Sequence, residues 1–530
     1  MPVAAISRMK IENNASSRFA FFALLTVVAV FHFVTMPNAF YPGDNMAIKA
    51  EASQLVNTGR AGFDVSEKDA LGDLVTQEGQ YFFVNEARQR LFSKYGLFYT
   101  LSYVPPIWLK KQITGSLEVV DVSASMTFAF NCYNILWSLL YVAYLYRVYR
   151  YCALGPWQAA GLVVLSVYPS YVWYYLRSPE KEVLQMAAFA GAVYHMLRYL
   201  GSSREGRPAN GQLMAAFGWG GYTYLLKPLY ALLLLAMAGS AFYDALCRWR
   251  QAQGRHAQFA PWLRSLLSMG GMLLLIGVIS LVHNYLRSGA IFDAGYRQDT
   301  TVPIEFVFTP NHFFQGLATY FLQPGNGNWF LHHPLLLVAL FGYPAFFRAY
   351  RMEALFLLAA LVMLLVALCF HVEWVGEWCY GPRFCLHLIM MAGIPAGQSM
   401  AWLLAPSQGG MVRKAARTAA LAGVVMVSLL SLRAQLYINS WHYFTYYYYF
   451  VPFDSLKIEA ADQYFSAMPH RALLNRDLTL YRREGRKFAL LDSIDQAQLP
   501  AGTVAAIYGL TEEVIEHYRW NFLLLPRPGS

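Results

Sequence analysis

Long apolar stretches recur along this chain, divided by short polar breaks and a few long connections. Eleven of them can be marked, near 18–36, 123–145, 157–176, 183–200, 211–224, 228–246, 265–286, 331–348, 354–371, 384–404 and 415–434. About 20 mostly apolar residues in a helix cross the hydrocarbon core of a bilayer. The pattern therefore predicts a mainly α, polytopic helical membrane protein with about eleven transmembrane helices. The fifth and sixth stretches adjoin at Lys227-Pro228, where proline removes a backbone donor and predicts a break or tight turn. The first stretch is too long for a removed signal peptide, lacks a small-residue cleavage site, and reads as helix one.

Composition agrees with a lipid solvent. Of 530 residues, 57% are hydrophobic and only 14% charged, whereas soluble domains carry about 25% charged residues. The 16% aromatic content excludes a disordered chain. The net charge of +10 forms no basic stripe, so no nucleic-acid partner is expected. Divided by side, it acquires a meaning. The N-terminus (1–18) and the connections 146–156, 198–210, 244–264, 348–353 and 405–417 hold 17 of the 41 Lys+Arg and 4 of the 31 Asp+Glu. That is +13 on one face and −3 for everything else, and basic short loops mark the cytoplasmic face. The expectation is a multi-pass protein of a bacterial inner membrane, N-terminus cytoplasmic and C-terminus periplasmic.

The long connections 37–122, 287–330 and 372–383 and the tail from 435 then all lie outside the cytosol. The predicted organisation is a membrane domain (1–436), with 37–122 as a large extracytoplasmic first loop, and a small α/β extracytoplasmic segment (437–530). Within loop one, Tyr95 to Leu109 reads as an interfacial helix ended by Pro105-Pro106. In the tail, the aromatic run Tyr443–Phe450 suits the headgroup level, and Lys487–Leu491 and Thr503–Leu510 read as short strands. The six cysteines (132, 152, 247, 369, 379 and 385) lack metal-ligand spacing and read as buried thiols, with a Cys379–Cys385 pair as the alternative.

Chemistry-bearing residues gather at the outer ends of the spans. Asp44 opens a stretch whose apolar positions (Ala47, Ala50, Ala52, Leu55) fit a helix ended by Gly59. There the helix dipole favours its charged form, and a carboxylate at the membrane surface can accept a proton from an attacking hydroxyl or amine. The alternative is that Asp44 only caps the helix. Lys94-Tyr95-Gly96 precedes the interfacial stretch, where a cation suits a lipid phosphate or simply snorkels to headgroups. Lys227 is the only Lys or Arg between Trp219 and Tyr243, a costly placement that marks a functional site. The run Arg177-Ser178-Pro179-Glu180-Lys181-Glu182 is either a substrate surface or a solvated turn, with Arg177 and Glu180 as candidates. Asn284 and Tyr296 flank the outer end of the seventh span, and Arg383 begins the tenth, where its planar fork can hold a phosphate. His332-His333 point apart on a helix and have no carboxylate partner in the pattern, so a divalent metal has no clear ligand set and the cofactor stays open.

The order of these motifs resembles a known family. It runs Gly43-Asp44 after the first span, Lys94-Tyr95-Gly96, Lys227-Pro228, Asn284 to Gly289 and Gly295-Tyr296, Pro324-Gly325-Asn326-Gly327, and Trp374-Val375-Gly376 to Tyr380-Gly381-Pro382-Arg383. From about 37 to 405 the chain resembles the C-type (GT-C) polytopic glycosyltransferases, which include protein O-mannosyltransferases and the lipid A aminoarabinose transferase. The resemblance implies transfer of a sugar from a polyprenyl-phosphate carrier to an extracytoplasmic acceptor, with inversion. It implies Asp44 as general base and Lys94, Lys227 and Arg383 as donor-phosphate ligands, with Tyr95, Arg177, Glu180, Asn284 and Tyr296 around the substrate site. Three positions depart from the family pattern: Asn45 stands where a second acid is frequent, Lys227 where arginine is common, and Glu377 where glycine is common. A polysaccharide polymerase or ligase, and a transporter of lipid-linked glycans, remain as alternatives.

Overall fold

A computed structural model describes residues 15–36, 44–71, 81–118, 124–152, 154–178, 180–207, 209–251, 259–293, 312–323, 327–371, 382–405 and 410–437, and strands at 456–458, 480–484 and 487–491. Outside the described residues lie Tyr296, Cys379, the motif from Trp374 through Glu377 to Tyr380-Gly381, the run Tyr443–Phe450 and the segment Thr503–Leu510.

All eleven apolar stretches fall on helices. In chain order these are α1 (Ala15–Thr35), then, past loop one, α4 (Ala124–Tyr151), α5 (Pro156–Val167), α6 (Val172–Arg177), α7 (Lys181–Arg204), α8 (Asn210–Leu226), α9 (Ala231–Gln251) and α10 (Phe259–Ser288). After α11 (Phe313–Phe321), which lies in the connection 287–330, they continue as α12 (Trp329–His332), α13 (Leu335–Ala349), α14 (Arg351–Phe370), α15 (Leu386–Gly393), α16 (Ala396–Leu404) and α17 (Met411–Tyr437). Among the described residues six helices are long and apolar enough to cross a membrane, and α15 with α16, bent by 43° beside Pro395, makes a seventh.

The remaining stretches fall short for physical reasons. α5 and α13 have 12 and 15 residues, too few for a perpendicular crossing. α7 is long enough but polar, with Lys181 and Glu182 in its first turn and Arg204 in its last. It is buried on nearly every side, against α4, α6, α8, α9, α14 and α15, so protein rather than lipid surrounds its polar groups. α7 is thus the axis of the bundle, while α10 and α17 are largely bare toward the surroundings. At Lys227-Pro228 the chain turns: α8 ends at Leu226, Lys227 is extended (φ −144°, ψ 114°), and Pro228–Tyr230 form a 3₁₀ turn. α13 and α16 cross closely, because Gly342 has no Cβ to meet the Pro395 carbonyl.

Loop one holds α2 (Asp44–Thr58), a small sheet and α3 (Leu97–Thr114). α2 closes at Gly59, which takes φ 71° and donates its N–H to the Leu55 carbonyl at 2.9 Å, a left-handed cap. β1 (Phe63–Asp64), β2 (Phe82–Asn85) and β3 (Arg90–Ser93) form an antiparallel sheet in the order β1-β3-β2 that hydropathy did not foresee. Gly62, at φ 74°, lies where a Cβ would meet the Leu91 carbonyl at 2.7 Å, so glycine is required there.

α3 corrects one expectation. Pro105 and Pro106 lie inside the helix and do not end it; it runs on to a left-handed cap at Gly115. Pro105 and Pro106 remove the donors for the Leu101 and Ser102 carbonyls; Leu101 and Pro105 lie on the exposed face, Ser102 and Pro106 on the buried one. One face of α3, with Tyr99, Tyr103 and Ile107, is buried against the protein, and Leu101, Trp108, Leu109 and Ile113 remain exposed. This two-sided apolar helix suits the bilayer interface. In the tail, β4 (Leu456–Ile458), β5 (Leu480–Glu484) and β6 (Lys487–Leu491) make an antiparallel sheet.

Candidate active site at the start of α7

Glu180, Lys181 and Glu182 are all buried where α7 begins. In sequence they look like a solvated charge run; in the fold Lys181 and Glu182 each meet a distant segment. The Lys181 backbone N–H donates to Asn45 Oδ1 at 3.1 Å, and the Tyr103 hydroxyl donates to the same oxygen at 3.2 Å. This seats the first turn of α2, which Asp44 opens, on the start of α7 and on α3. The Lys181 ammonium lies 3.9 Å from the centroid of the Tyr95 ring. Arg383 Nε donates to Glu182 Oε1 at 2.6 Å, with the two side chains 16% and 5% exposed. The Tyr171 hydroxyl donates to the Pro382 carbonyl at 3.2 Å, fixing the 3₁₀ turn Arg383–Cys385. Next to Arg383, the Phe384 ring receives the Lys227 ammonium at 4.0 Å.

One contact network therefore links the Asp44 end of α2, Tyr95 and Arg383 through two consecutive residues of α7, Lys181 and Glu182, and reaches Lys227 through Phe384. Lys94 is adjacent, half-buried between the rings of Tyr81 (5.8 Å) and Tyr95 (5.7 Å). Glu180 adjoins the network, taking a long hydrogen bond from the Tyr174 hydroxyl at 3.4 Å. Burial, and next the neighbouring Glu182 carboxylate, push its carboxyl well above the usual carboxylate range.

Two candidates sit in different surroundings. Arg177 is buried and donates from Nη1 to the Thr35 carbonyl at 2.7 Å, a cation at the C-terminus of α1 that holds the exit toward α2. Asn284 donates to the Ile291 carbonyl at 3.1 Å beyond the end of α10. Beside it, His283 Nε2 accepts the Leu97 N–H at 2.9 Å, which places the ring proton on Nδ1, 3.3 Å from Asn284 Oδ1. Asn85 donates to the Arg287 carbonyl at 2.6 Å, and Arg287 donates to the Ser93 carbonyl. The end of α10 thus clamps the β2–β3 hairpin and the start of α3, holding Lys94 and Tyr95 in place.

Sequence reading did not take Asn45, Lys181 or Glu182 as site residues, nor Lys49 and Glu51, both fully buried in α2. The signal for the last two was two opposite charges within the alanine-rich run 47–52. The Thr100 hydroxyl donates to Glu51 Oε2 at 2.9 Å. Burial pushes the Glu51 carboxyl up to about 7, against the nearby Arg287 and the Thr100 hydrogen bond, which lower it. A carboxyl raised on folding binds more protons in the native than in the unfolded state, so it favours the folded state at low pH. For Glu51, stability falls as pH rises from the ordinary carboxylate value to about 7 and then levels. Glu180, raised in the same direction, acts with the same sign. The expected result is a melting temperature several degrees lower at pH 7.5 than at pH 5 in detergent. Glu51→Gln should flatten part of that slope, and an unchanged slope would contradict the burial.

Among the described residues no group of three or more His, Cys, Asp or Glu is placed to hold a metal ion. His332 and His333 are both buried, and His332 meets the Tyr171 ring edge-on at 5.7 Å. Cys152, Cys369 and Cys385 are buried free thiols, while Cys132 and Cys247 are half-buried.

No family model matches the chain, and no curated protein matches it. Solved structures do. An Archaeoglobus fulgidus oligosaccharyltransferase, AglB, in complex with an inhibitory peptide and a dolichol-phosphate matches at 11% identity and a TM-score of 0.45. The match covers 80% of this chain, which spans 56% of the length of that protein. ArnT from Cupriavidus metallidurans bound to undecaprenyl phosphate matches at 15% identity and a TM-score of 0.43, covering 80% of this chain and 72% of ArnT. Likeness at this level assigns no residue its role.

Proposed function

We propose that the chain is an integral-membrane glycosyltransferase that moves a sugar from a polyprenyl-phosphate carrier to an extracytoplasmic lipid, glycan or protein, with inversion. The observation that carries this reading is the network at the start of α7, which gathers the Asp44 end of α2, Tyr95, Lys94, Arg383 and Lys227. An acceptor hydroxyl attacks the anomeric carbon while the bond from that carbon to the phosphate oxygen breaks, its electron pair leaving with the carrier. Asp44 takes the hydroxyl proton. The departing phosphate gains a negative charge, which Arg383, Lys227 and Lys94 stabilise as cations fixed in a water-poor site. Glu182 orients the Arg383 guanidinium, and aromatic rings hold both lysines near the bilayer surface. The eleven-span topology, the periplasmic tail and the bacterial inner-membrane setting belong to the same reading.

The test is transfer by purified protein from a labelled monosaccharyl polyprenyl phosphate to a panel of acceptors, with the anomeric configuration read by NMR. Inverted product supports the proposal. Use of oligosaccharide donors only would make the protein a ligase or polymerase, and donor crossing proteoliposomes without bond cleavage would make it a transporter.

A further inference from the structure

A second constellation lies at the other end of the bundle. Arg198 is 16 residues beyond Glu182 on α7, about 24 Å of helix. Around it come Arg18 from the start of α1 and Arg147 and Arg150 from the end of α4. The four arginines, with Phe21 and Tyr194, line an open cavity of about 730 Å³. That is large enough for a small-molecule ligand or a headgroup.

Arginines near a membrane surface ordinarily snorkel apart toward water. These converge instead. Among the described residues no carboxylate lies within ion-pair distance of any of the four. The Nε atoms of Arg150 and Arg198 are buried without a hydrogen-bond partner. Arg150 donates from Nη1 to the Leu154 carbonyl at 2.6 Å, which anchors its guanidinium, and Arg147 lies 5.6 Å from the centroid of the Phe21 ring. The buried Nε donors of Arg150 and Arg198, with the exposed Arg18 and Arg147 on the same cavity, call for an anion with several acceptor oxygens, and guanidinium forks match phosphate.

The wall beside the arginines is apolar. Phe22 also lines the cavity and is 62% exposed, and Phe19 on the same helix is 67% exposed. The cavity thus joins the lipid-facing surface of α1, as an anion carrying acyl chains would require.

We propose that this cavity is a binding site for a phosphate-bearing anion, separate from the network at the start of α7 and suited to the headgroup of an anionic phospholipid. Basic pockets between transmembrane helices recognise such headgroups. The full-length protein, delipidated in nonionic detergent, should be titrated with mixed micelles of phosphatidylglycerol or phosphatidylcholine, and separately with sodium pyrophosphate. Retained lipid is counted by native mass spectrometry and melting temperature is followed in parallel. Phosphatidylglycerol should bind in preference to phosphatidylcholine, and Arg147→Gln should weaken it about fivefold, with a further loss of similar size in Arg147→Gln/Arg198→Gln. Pyrophosphate binding with the same dependence on the arginines makes a soluble phosphate the occupant, and an inert pyrophosphate makes it the lipid. Phosphatidylglycerol binding that is unchanged in the folded Arg147→Gln protein and the double variant, or matched by phosphatidylcholine, overturns the proposal.

Discussion

Asp44→Asn is expected to lower the rate of sugar transfer by about 10²- to 10⁴-fold, the range a positioned general base contributes, with little change in donor affinity. The substitution separates the two roles available to this residue. Asp44 is the first residue of α2, and asparagine serves as an N-cap about as well as aspartate. If Asp44 only begins the helix, an asparagine in its place does the same: α2 stays seated through Asn45 on the Lys181 N–H and the Tyr103 hydroxyl, and transfer persists. If Asp44 takes the acceptor proton, the amide cannot, and turnover collapses while the melting temperature holds. Transfer by Asp44→Asn at the wild-type rate would remove Asp44 as the base. Loss of both stability and activity would mean that the Asp44 charge holds the start of α2, where the helix dipole favours an anion, rather than taking a proton.

The sequence made helices legible because the apolar stretches are read from local hydropathy alone. The turn at Lys227-Pro228 was legible for a similar reason: proline constrains the residue before it whatever the tertiary context. α3 shows the limit of that rule, since the helix runs through Pro105 and Pro106 with Tyr99, Tyr103 and Ile107 packed against the protein. The short strands of loop one escaped notice because a four-residue alternation is weak beside long apolar runs.

At the candidate site, the end of α2 and the cations were visible as types in unusual places, but their connecting residues were not. Lys181 and Glu182 stand in a run of charges, and such runs usually face water. Their partners Asn45 and Arg383 are 136 and 201 residues away, so only the fold reveals the pairing. Arg177 and Asn284 came from the same kind of reading, yet the contacts described above tie them to helix ends.

The Glu182–Arg383 pair makes the largest combined claim on stability and activity. With 5% and 16% of the side chains exposed, solvent screens it little, so the small values of surface pairs do not apply. Arg383→Met leaves a buried carboxylate without its counter-charge, at an expected cost of about 3–5 kcal/mol. The same change removes a fixed donor from the departing phosphate, which should lower transfer about 10²- to 10³-fold. Stability and activity are then separated by removing both charges. Arg383→Met/Glu182→Leu deletes the orphaned carboxylate and should recover most of the lost melting temperature, because an apolar replacement for a buried pair is often near neutral. It should recover none of the transfer rate, since the phosphate still lacks its arginine. Glu182→Leu alone should fall between the two in activity, keeping the guanidinium but losing the carboxylate that holds its plane. A double variant that is both stable and fully active would mean that the pair only packs α7 against the start of α15. A double variant that is stable and inactive would place Arg383 at the reacting phosphate, with Glu182 as the residue that positions it.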